Sequence, residues 1–325
     1  MLKMTYLNEN FDLARHALAY WRHDGETLPE RLRWFRISSN AVYPFDRDGR
    51  LCFLRLSPAA EKCAGHLQAE LDYLTWLGER GYPAMRPIPA DDGRPLLTLD
   101  TPWGQWYASA FEGVPGHPLE KLPMTGALAA SYGEALGHLH RLAMDYAAPG
   151  CRTHGEVLVW IGRTLEEQHA PQAAQDELRE VTRLLRMLPQ TRESYGLVHY
   201  DFEPDNVFWD GGSCHVIDFE DGMRHFYAVD LVQALDELPE QVHGAFLRGY
   251  RKACPQSDAK KADFPLMRRF RNLYTYARLL HCLSDTPQLQ PEWMPQLIAR
   301  LSSRRQELEQ EICGQLRNPE NNPNE

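Results

Sequence analysis

Apolar and polar positions follow two different periods along the first third of the chain. Apolar residues three or four apart predict a helix over residues 5–22, and the period then shortens to that of strands. A second helix is predicted to open at Ser57-Pro58, with proline near its first turn, and to run to about Gly81. The predicted strands, two of them joined by an Asp-Arg-Asp-Gly turn signal, are Trp34–Ile37, Ala41–Phe45, Leu51–Leu56, Leu96–Leu99 and Trp103–Phe111. Residues 31–111 therefore predict a mostly antiparallel sheet with one inserted helix.

The helical period dominates after a sharp break of Gly and Pro residues at 113–118. A short β-like island interrupts it at Leu197–His199 and His215–Ile217. The predicted helices are 128–142, 158–167, 175–188, 228–237, 242–250, 266–283 and 295–313. The pattern predicts an α+β protein whose parts are a β-rich N-terminal lobe with a leading helix (1–112), a hinge (113–118), a larger helical lobe (119–316) and a frayed tail (317–325).

Composition and charge exclude several classes of protein. The 325 residues are 43% apolar and 25% charged, which is typical of a folded globular chain. The 35 Lys and Arg against 45 Asp and Glu give a net charge of −10. This balance argues against a nucleic-acid partner and suits a cationic substrate or a metal bound by carboxylates. No stretch approaches the roughly 18 apolar residues of a membrane helix, so no membrane contact is predicted. Seven scattered cysteines without a C-x-x-C pair disfavour a zinc or redox site and predict reduced thiols in the cytoplasm.

Two polar stretches, 199–210 and 216–220, carry the candidate chemistry. The Asp-Gly-Gly turn signal between them predicts a β-ribbon, with Asp201 and Asn206 on the loop before it and Asp218 just past its second strand. Such a loop can bring three oxygen-bearing side chains to one point. Mg²⁺ prefers oxygen ligands, and Asn206 and Asp218 suit that role. Asp201 is then free to accept a proton from an attacking hydroxyl.

These stretches resemble the catalytic and metal-binding loops of kinases. The pattern H-x-D-x-x-x-x-N spans His199–Asn206, and I-D-F-E-D spans Ile217–Asp221. Together with L-G-H-L-H-R-L over Leu136–Leu142, they resemble most the aminoglycoside phosphotransferase superfamily, which also includes choline, homoserine and methylthioribose kinases. The resemblance covers about residues 31–250.

The resemblance implies a two-lobed protein kinase-like fold that uses ATP and Mg²⁺ to phosphorylate a hydroxyl of a small molecule, such as an aminoglycoside, choline, homoserine or a sugar. Asp201 would be the catalytic residue, and Asn206 and Asp218 would hold the metal ion. The acceptor would bind in the helical lobe, and the hinge backbone near 111–114 would meet the adenine. Protein substrates are disfavoured, because Glu203 stands where Ser/Thr protein kinases carry a lysine.

The nucleotide side departs from the usual kinase pattern. The turn before the second strand, Ser38-Ser39-Asn40, has no glycines; it either offers backbone N–H groups and hydroxyls to phosphates or is a plain polar hairpin turn. Arg55 occupies the strand position of the usual phosphate-anchoring lysine, and Lys3 and Lys62 are the only lysines before the hinge. Glu70 is either the ion-pair partner of Arg55 or a solvated helix charge.

Other interpretations of these residues stay open at this point. Asp230 either bonds the catalytic-loop backbone from the start of a helix, as the resemblance implies, or is a plain N-cap. His199 is a structural residue in the resembled loops, and a His/Asp metallohydrolase is disfavoured because a helical ligand pair is missing. Glu220, Asp221, Asp236 and Glu237 line an acceptor site or form a solvated face. The missing glycines and Arg55 also allow an inactive nucleotide-binding protein of this fold that acts as a sensor or scaffold.

The negative charge is concentrated at the candidate loops. Residues 201–221 contain seven Asp and Glu and no Lys or Arg, whereas residues 1–110 carry 13 basic and 14 acidic residues. Most of the net charge therefore lies where a metal–phosphate complex and a cationic acceptor would bind.

Overall fold

The computed structural model describes residues 1–7, 9–287 and 292–315 of the chain. Its strands are β1 (Arg36–Ile37), β2 (Ala41–Arg47), β3 (Arg50–Pro58), β4 (Pro87–Ile88), β5 (Leu97–Thr101), β6 (Gly104–Glu112), β7 (His117–Pro118), β8 (Tyr195–Val198), β9 (Val207–Trp209), β10 (Cys214–Val216) and β11 (Met223–Phe226). Its α-helices are α1 (Phe11–Leu18), α2 (Leu28–Arg31), α3 (Ala64–Glu79), α4 (Gly126–Ala143), α5 (His154–Glu167), α6 (Gln172–Met187), α7 (Ala228–Asp236), α8 (Glu240–Ala253), α9 (Phe264–Leu283) and α10 (Met294–Gln315). The predicted α+β class is confirmed, with antiparallel strands in the N-terminal region and helices in the C-terminal region.

Three local predictions differ from the structure. The leading helix is shorter than 5–22, because the Asn10 side chain accepts the N–H of Leu13 and starts α1 only at Phe11. Trp34 belongs to a 3₁₀ turn rather than to a strand. Ser57-Pro58 does not open a helix, because β3 continues through it and pairs with Tyr107 and Trp106 of β6. The predicted tail 317–325 lies outside the described residues.

The main sheet has the antiparallel order β1-β2-β3-β6-β4, and β5 pairs with β6. Strand β3 lies in the middle, where Arg55 pairs with Val42 of β2 on one side and with Ser109 of β6 on the other. The Arg55 side chain is almost completely buried. A buried guanidinium in a central strand requires a partner, because an unpaired charge there is costly.

The chain divides into two compact units. The strand-bearing unit, Glu9–Arg152 with Gln190–Lys260, contains every described strand together with α1–α4, α7 and α8. The helical unit consists of the described parts of Met1–Asn8, Thr153–Pro189 and Lys261–Glu325. Within it, Glu177 is fully buried and accepts two hydrogen bonds from Arg269. Among the described residues, no helix combines the length and apolar character needed to cross a membrane.

Helices α4 and α8 approach each other through glycines. A Cβ atom on Gly249 would lie 2.0 Å from the carbonyl oxygen of Ala130, and one on Gly133 would lie 2.0 Å from that of Phe246. Both distances are far below van der Waals contact, so neither position admits a side chain while the helices keep this spacing. The close approach brings Tyr250, the neighbour of Gly249, to within 2.9 Å of His140 on α4.

We expect Gly249→Ala to lower the free energy of unfolding by about 2–3 kcal/mol, although alanine is the better helix former by about 1 kcal/mol. Gly78→Ala in α3 is the matched control, because a Cβ there meets nothing within 4 Å. That variant is expected to gain stability by up to about 1 kcal/mol. Urea unfolding measures both, and equal stability of the two variants would contradict the close packing.

Candidate active site

The predicted β-ribbon is present and carries the candidate loops at its ends. Strands β9 and β10 pair across a turn in which Asp210 accepts the N–H groups of Gly212 and Ser213, each at 2.8 Å. The loop 199–206 precedes β9, and Asp218 follows β10. A neighbouring segment fixes the second strand, since Val216 donates to the carbonyl of Pro83 and accepts from the N–H of Met85.

Asp201 and Asn206 are held together by hydrogen bonds. The side-chain nitrogen of Asn206 donates to the Oδ2 atom of Asp201 at 2.9 Å and to its carbonyl oxygen at 3.0 Å. Because the amide nitrogen faces Asp201, the amide oxygen is the end of this side chain that can bind a cation. The carbonyl of Asn206 accepts from Ile217, which immediately precedes Asp218.

Asp230 anchors the loop from the first turn of α7. Its carboxylate is completely buried and accepts the N–H of His199 and of Tyr200, each at 2.8 Å. The same carboxylate lies 3.0 Å from the Nε2 atom of His140, whose Nδ1 contacts the Tyr250 hydroxyl. Of the two interpretations of Asp230, the geometry therefore supports the one that bonds the catalytic-loop backbone.

Both ring nitrogens of His199 make hydrogen bonds to the backbone of the two candidate loops. Its Nε2 atom lies 3.0 Å from the carbonyl of Ile217, and its Nδ1 atom accepts the N–H of Asp201 at 3.2 Å. Burial lowers the pKa of this imidazole, although Asp230 opposes the shift. A neutral ring that joins the two loops is a structural residue, as the resemblance implies.

Tyr200 and Asp218 both adopt left-handed backbone conformations, with φ of +64° and +62°. Such a conformation is uncommon for side-chain-bearing residues and persists where the surroundings enforce it. For Tyr200, Asp230 binds the N–H, and Gln233 donates to the carbonyl at 2.6 Å. These bonds fix the backbone conformation immediately before Asp201 and so orient that residue.

Asp218 reaches solvent, although the surrounding protein removes water from much of its carboxylate. This burial and the nearby Glu220 carboxylate raise the pKa of Asp218 to about 6, while Arg55 opposes the shift. A carboxylate crowded by other carboxylates gains by binding a cation. Asp218 is therefore electrostatically suited to a divalent metal ion.

The predicted Arg55–Glu70 ion pair is present and buried. Two guanidinium nitrogens of Arg55 donate to the two carboxylate oxygens of Glu70 at 2.8 and 2.6 Å. Burial disfavours the charged guanidinium, but the Glu70 carboxylate outweighs it, so the pKa of Arg55 lies above its ordinary value. Among the described residues, nothing accepts a hydrogen bond from the buried Nε of Arg55. An orphaned donor on a charged group fits an anionic ligand.

The turn Ser38–Asn40 is only partly open to solvent. Ser38 is exposed and Ser39 is half-buried, whereas Asn40 is 5% exposed. The Asn40 oxygen accepts from the Ser57 hydroxyl at 2.6 Å, and its side-chain nitrogen donates to the Glu220 carboxylate. Glu220 also binds the ammonium group of Lys62. Sequence reasoning did not anticipate this contact between the turn and the loop after Asp218.

A cavity of about 520 Å³ opens beside the catalytic loop. Its wall includes Glu203, Pro204 and Asp205 of that loop, and within this wall the N–H of Glu120 donates to the Pro204 carbonyl at 3.1 Å. The other lining residues are Leu119, Leu122, Met124, Glu237, Leu238 and Pro239. Four carboxylates and no Lys, Arg or His belong to this lining, as far as the structure describes the chain. Glu237 was predicted as one alternative for an acceptor site, whereas Glu120 carries no motif that would have marked it.

Within the described part of the chain, no group of three or more His, Cys, Asp or Glu side chains is arranged to hold a metal ion. Magnesium needs no such group, because it commonly takes one or two protein oxygens and completes its shell with water and phosphate. The amide of Asn206 and the carboxylate of Asp218 fit that donor set.

Comparison with known protein families gives a match that contains all these loops. Residues 36–264 match the sequence model described as the phosphotransferase enzyme family, which is more than half of the chain. A homoserine kinase from Caulobacter vibrioides (strain NA1000 / CB15N) is 30% identical over 213 residues, which are 61% of this chain and 65% of that protein. The chain thus spans just under two thirds of the length of this curated relative.

Solved structures share the fold. The amicoumacin kinase hAmiN, in complex with AMP-PNP, Ca²⁺ and Ami, matches with a TM-score of 0.73 and 19% identity over 96% of this chain and 98% of that one. The microcompartment-associated aminopropanol kinase matches with a TM-score of 0.68 and 22% identity over 94% and 98%. The kinase-like fold that the sequence motifs predict is confirmed by these similarities.

Proposed function

The chain belongs to the phosphotransferase enzyme family, and on that premise we propose that it transfers the γ-phosphate of ATP to a hydroxyl of a small molecule that carries a cationic group. One observation carries the proposal. The Asp201 carboxylate is fixed by Asn206 on a loop whose next residues line an acidic cavity. A base that is oriented beside a cavity suits an acceptor hydroxyl. The cytoplasmic location stays a prediction from the sequence.

The residues present fit the nucleotide and its metal ion. Asn206 and Asp218 would hold Mg²⁺, which when bound neutralises charge on the phosphates. Arg55, kept charged by Glu70, would act on the phosphates, and its unpartnered Nε supports that role. The Ser38 and Ser39 hydroxyls would cover the phosphates from the turn, in which the N–H of Ser38 already donates to the Asn40 carbonyl.

The proposed step needs few groups of the protein. The acceptor oxygen forms a bond to the γ-phosphorus while the bond between that phosphorus and the β–γ bridging oxygen breaks. ADP leaves with the electron pair, and Asp201 takes the hydroxyl proton. Asn206 holds the Asp201 carboxylate in one orientation during the transfer. Positioning and charge neutralisation supply most of the catalysis in such transfers.

The cavity supports a cationic acceptor. Four residues of its wall carry carboxylates, of which Asp205 lies 4.0 Å from the Arg36 guanidinium, and the net negative field favours an ammonium group. The kinases named above act on homoserine and on aminopropanol, and both molecules carry an amine beside a hydroxyl. Glu203, where a protein kinase has lysine, adds to that field and disfavours a phosphoacceptor peptide rich in acidic residues.

ADP release tests the proposal with acceptors matched in pairs. Each pair joins an amino alcohol to the alcohol of the same skeleton without the amine: 1-amino-2-propanol with 2-propanol, homoserine with 4-hydroxybutanoate, and an aminoglycoside with a sugar that lacks amines. We expect Mg²⁺-dependent ADP release with amine-bearing acceptors and at least about tenfold lower kcat/KM with the amine-free ones. Equal rates within pairs would contradict the cationic class.

A thermal-shift titration with Mg·ATP distinguishes an active kinase, an inactive nucleotide-binding protein and a protein that binds no nucleotide. A shift without turnover on any acceptor would favour the sensor or scaffold interpretation. Absence of a shift with any nucleotide would refute both the kinase and the sensor. Loss of turnover and weaker nucleotide binding on adding a chelator are the expected results for a metal-dependent enzyme.

Glu237→Gln is expected to raise KM for amine-bearing acceptors by about 2- to 5-fold, because it removes one partly exposed charge from the cavity wall. The kcat and the KM for ATP should stay unchanged, since Glu237 lies outside the catalytic loops. Glu240→Gln, an exposed glutamate in the first turn of α8, is the matched control. Steady-state kinetics with both substrates varied makes the distinction, and an effect on the KM for ATP alone would contradict the assignment.

A further inference from the structure

Glu220 brings three parts of the strand-bearing unit together. One oxygen of its carboxylate binds the ammonium group of Lys62, and the other accepts from the side-chain nitrogen of Asn40. The Glu220 side chain is 9% exposed and that of Lys62 is 18% exposed. A carboxylate in the loop after Asp218 thus reaches the turn before β2 and the connection between β3 and α3.

The donors around Glu220 are built for an anion. The Ser57 hydroxyl donates to the Asn40 oxygen, which turns the side-chain nitrogen of Asn40 toward Glu220. The Lys62 ammonium and the side-chain nitrogen of Asn40 donate to different oxygens of the Glu220 carboxylate, so the site supplies two donors to one anionic group.

The Glu220 carboxylate lies next to residues that the proposed function assigns to the metal ion and the phosphates. Glu220 is two residues beyond Asp218, and Asn40 belongs to the turn expected to cover the phosphates. Ser57, which donates to Asn40, lies two residues beyond Arg55 on β3, so the same strand carries both the turn contact and the buried guanidinium.

The charge balance of the cluster favours a further cationic side chain for a nucleotide, in addition to the metal ion proposed at Asn206 and Asp218. Both terminal nitrogens of Arg55 bind Glu70, and the Lys62 ammonium binds Glu220. The phosphate tail of ATP adds more negative charge, which a single committed guanidinium does not offset. Lys62 is the flexible donor within reach of the region, since its ammonium already binds an anion there.

Resting on the proposed function, we propose that Lys62 binds the phosphate tail of the nucleotide and that the Glu220 carboxylate competes with phosphate for the Lys62 ammonium. Lys62 lies outside the strands, in the loop between β3 and α3. Its role is therefore separate from the strand position that Arg55 occupies.

The first test measures dissociation constants for Mg·ATP and for adenosine by isothermal titration. Lys62→Met is expected to weaken Mg·ATP binding about 10-fold and to leave adenosine binding unchanged. Lys62→Arg should keep Mg·ATP affinity within about 3-fold of wild type, because the charge is retained. Lys252→Met is the matched control, since that lysine is 75% exposed on α8 and pairs with Glu134.

The second test measures the competition between the Glu220 carboxylate and phosphate for the Lys62 ammonium. Glu220→Gln is titrated with ADP in the presence of a chelator, so that metal binding does not contribute. We expect tighter ADP binding, by about 3-fold or more, because the competing anion is removed. Unchanged or weaker binding would overturn the competition.

The outcomes also separate this inference from the proposed function. Lys62→Met with wild-type affinity for Mg·ATP, or with an equal loss of ATP and adenosine binding, would overturn the role of Lys62. If Lys62→Met does not fold, the affinities of Lys62→Arg for Mg·ATP and of Glu220→Gln for ADP test the role of Lys62 instead. A wild-type protein that binds no Mg·ATP refutes the proposed function itself, whereas turnover with an unaffected Lys62→Met variant refutes this inference alone.

Discussion

Asp201→Asn is expected to lower kcat by about 10²- to 10⁴-fold while leaving the dissociation constant for Mg·ATP within a few-fold of wild type. The carboxamide has the shape of the carboxylate but cannot accept the hydroxyl proton. Its contacts with Asn206 nevertheless allow the loop to keep its form. ADP-release rates at saturating ATP and acceptor, with nucleotide titrations alongside, measure the two quantities.

Asp210→Asn is the control for this substitution. Asp210 lies in the turn between β9 and β10, where it binds two backbone N–H groups and His215. We expect its variant to keep kcat within about 2- to 3-fold, since substitutions away from the reacting groups have small effects. Undiminished turnover of Asp201→Asn would refute the assignment of the base.

Asp230→Asn is expected to lower the free energy of unfolding by about 3–5 kcal/mol. The buried carboxylate serves three N–H donors, from His199, Tyr200 and His140. An asparagine offers one acceptor oxygen and turns an N–H₂ group toward at least one of those donors, which leaves polar groups buried without partners. Urea unfolding measures the loss of stability.

The same variant should lose activity even where it is folded. Without the carboxylate, the left-handed Tyr200 is no longer held at its N–H, and Asp201 loses its fixed direction. Asp12→Asn, at an exposed aspartate in the first turn of α1, is expected to change stability by less than about 0.5 kcal/mol. A fully active and stable Asp230→Asn protein would contradict the anchoring role.

Sequence periodicity predicted the elements that local patterns determine. The hairpin between β9 and β10 followed from an Asp-Gly-Gly turn, and the helices of the C-terminal half followed from their apolar spacing. The prediction that Ser57-Pro58 opens a helix was wrong, because proline suits a first helical turn as well as a strand end. The pairing with Tyr107 and Trp106 decided between them, and that pairing depends on residues about 50 positions away.

The candidate site was predictable to the extent that its motifs are contiguous. Asp201, Asn206 and Asp218 lie in two short stretches, and the Arg55–Glu70 pair follows from a strand and the next helix. Contacts across the fold were not predictable. The Asn40–Glu220 bond spans 180 positions, and Glu120 meets the catalytic loop only through the packing of β7 beside β9. No local period encodes either contact, because each depends on how separate elements come together.

The anchoring of the catalytic loop also sets the order of events during protein synthesis. The loop at 199–206 depends on Tyr132, which donates to the Phe202 carbonyl, and on Asp230, which in turn binds His140. His140 contacts Tyr250, a partner 110 positions further along. A nascent chain therefore completes these contacts only after residue 250 has left the ribosome, although Asp201 emerges some fifty residues earlier. The loop at 199–206 therefore reaches its final geometry only after nearly all of the strand-bearing unit has been made.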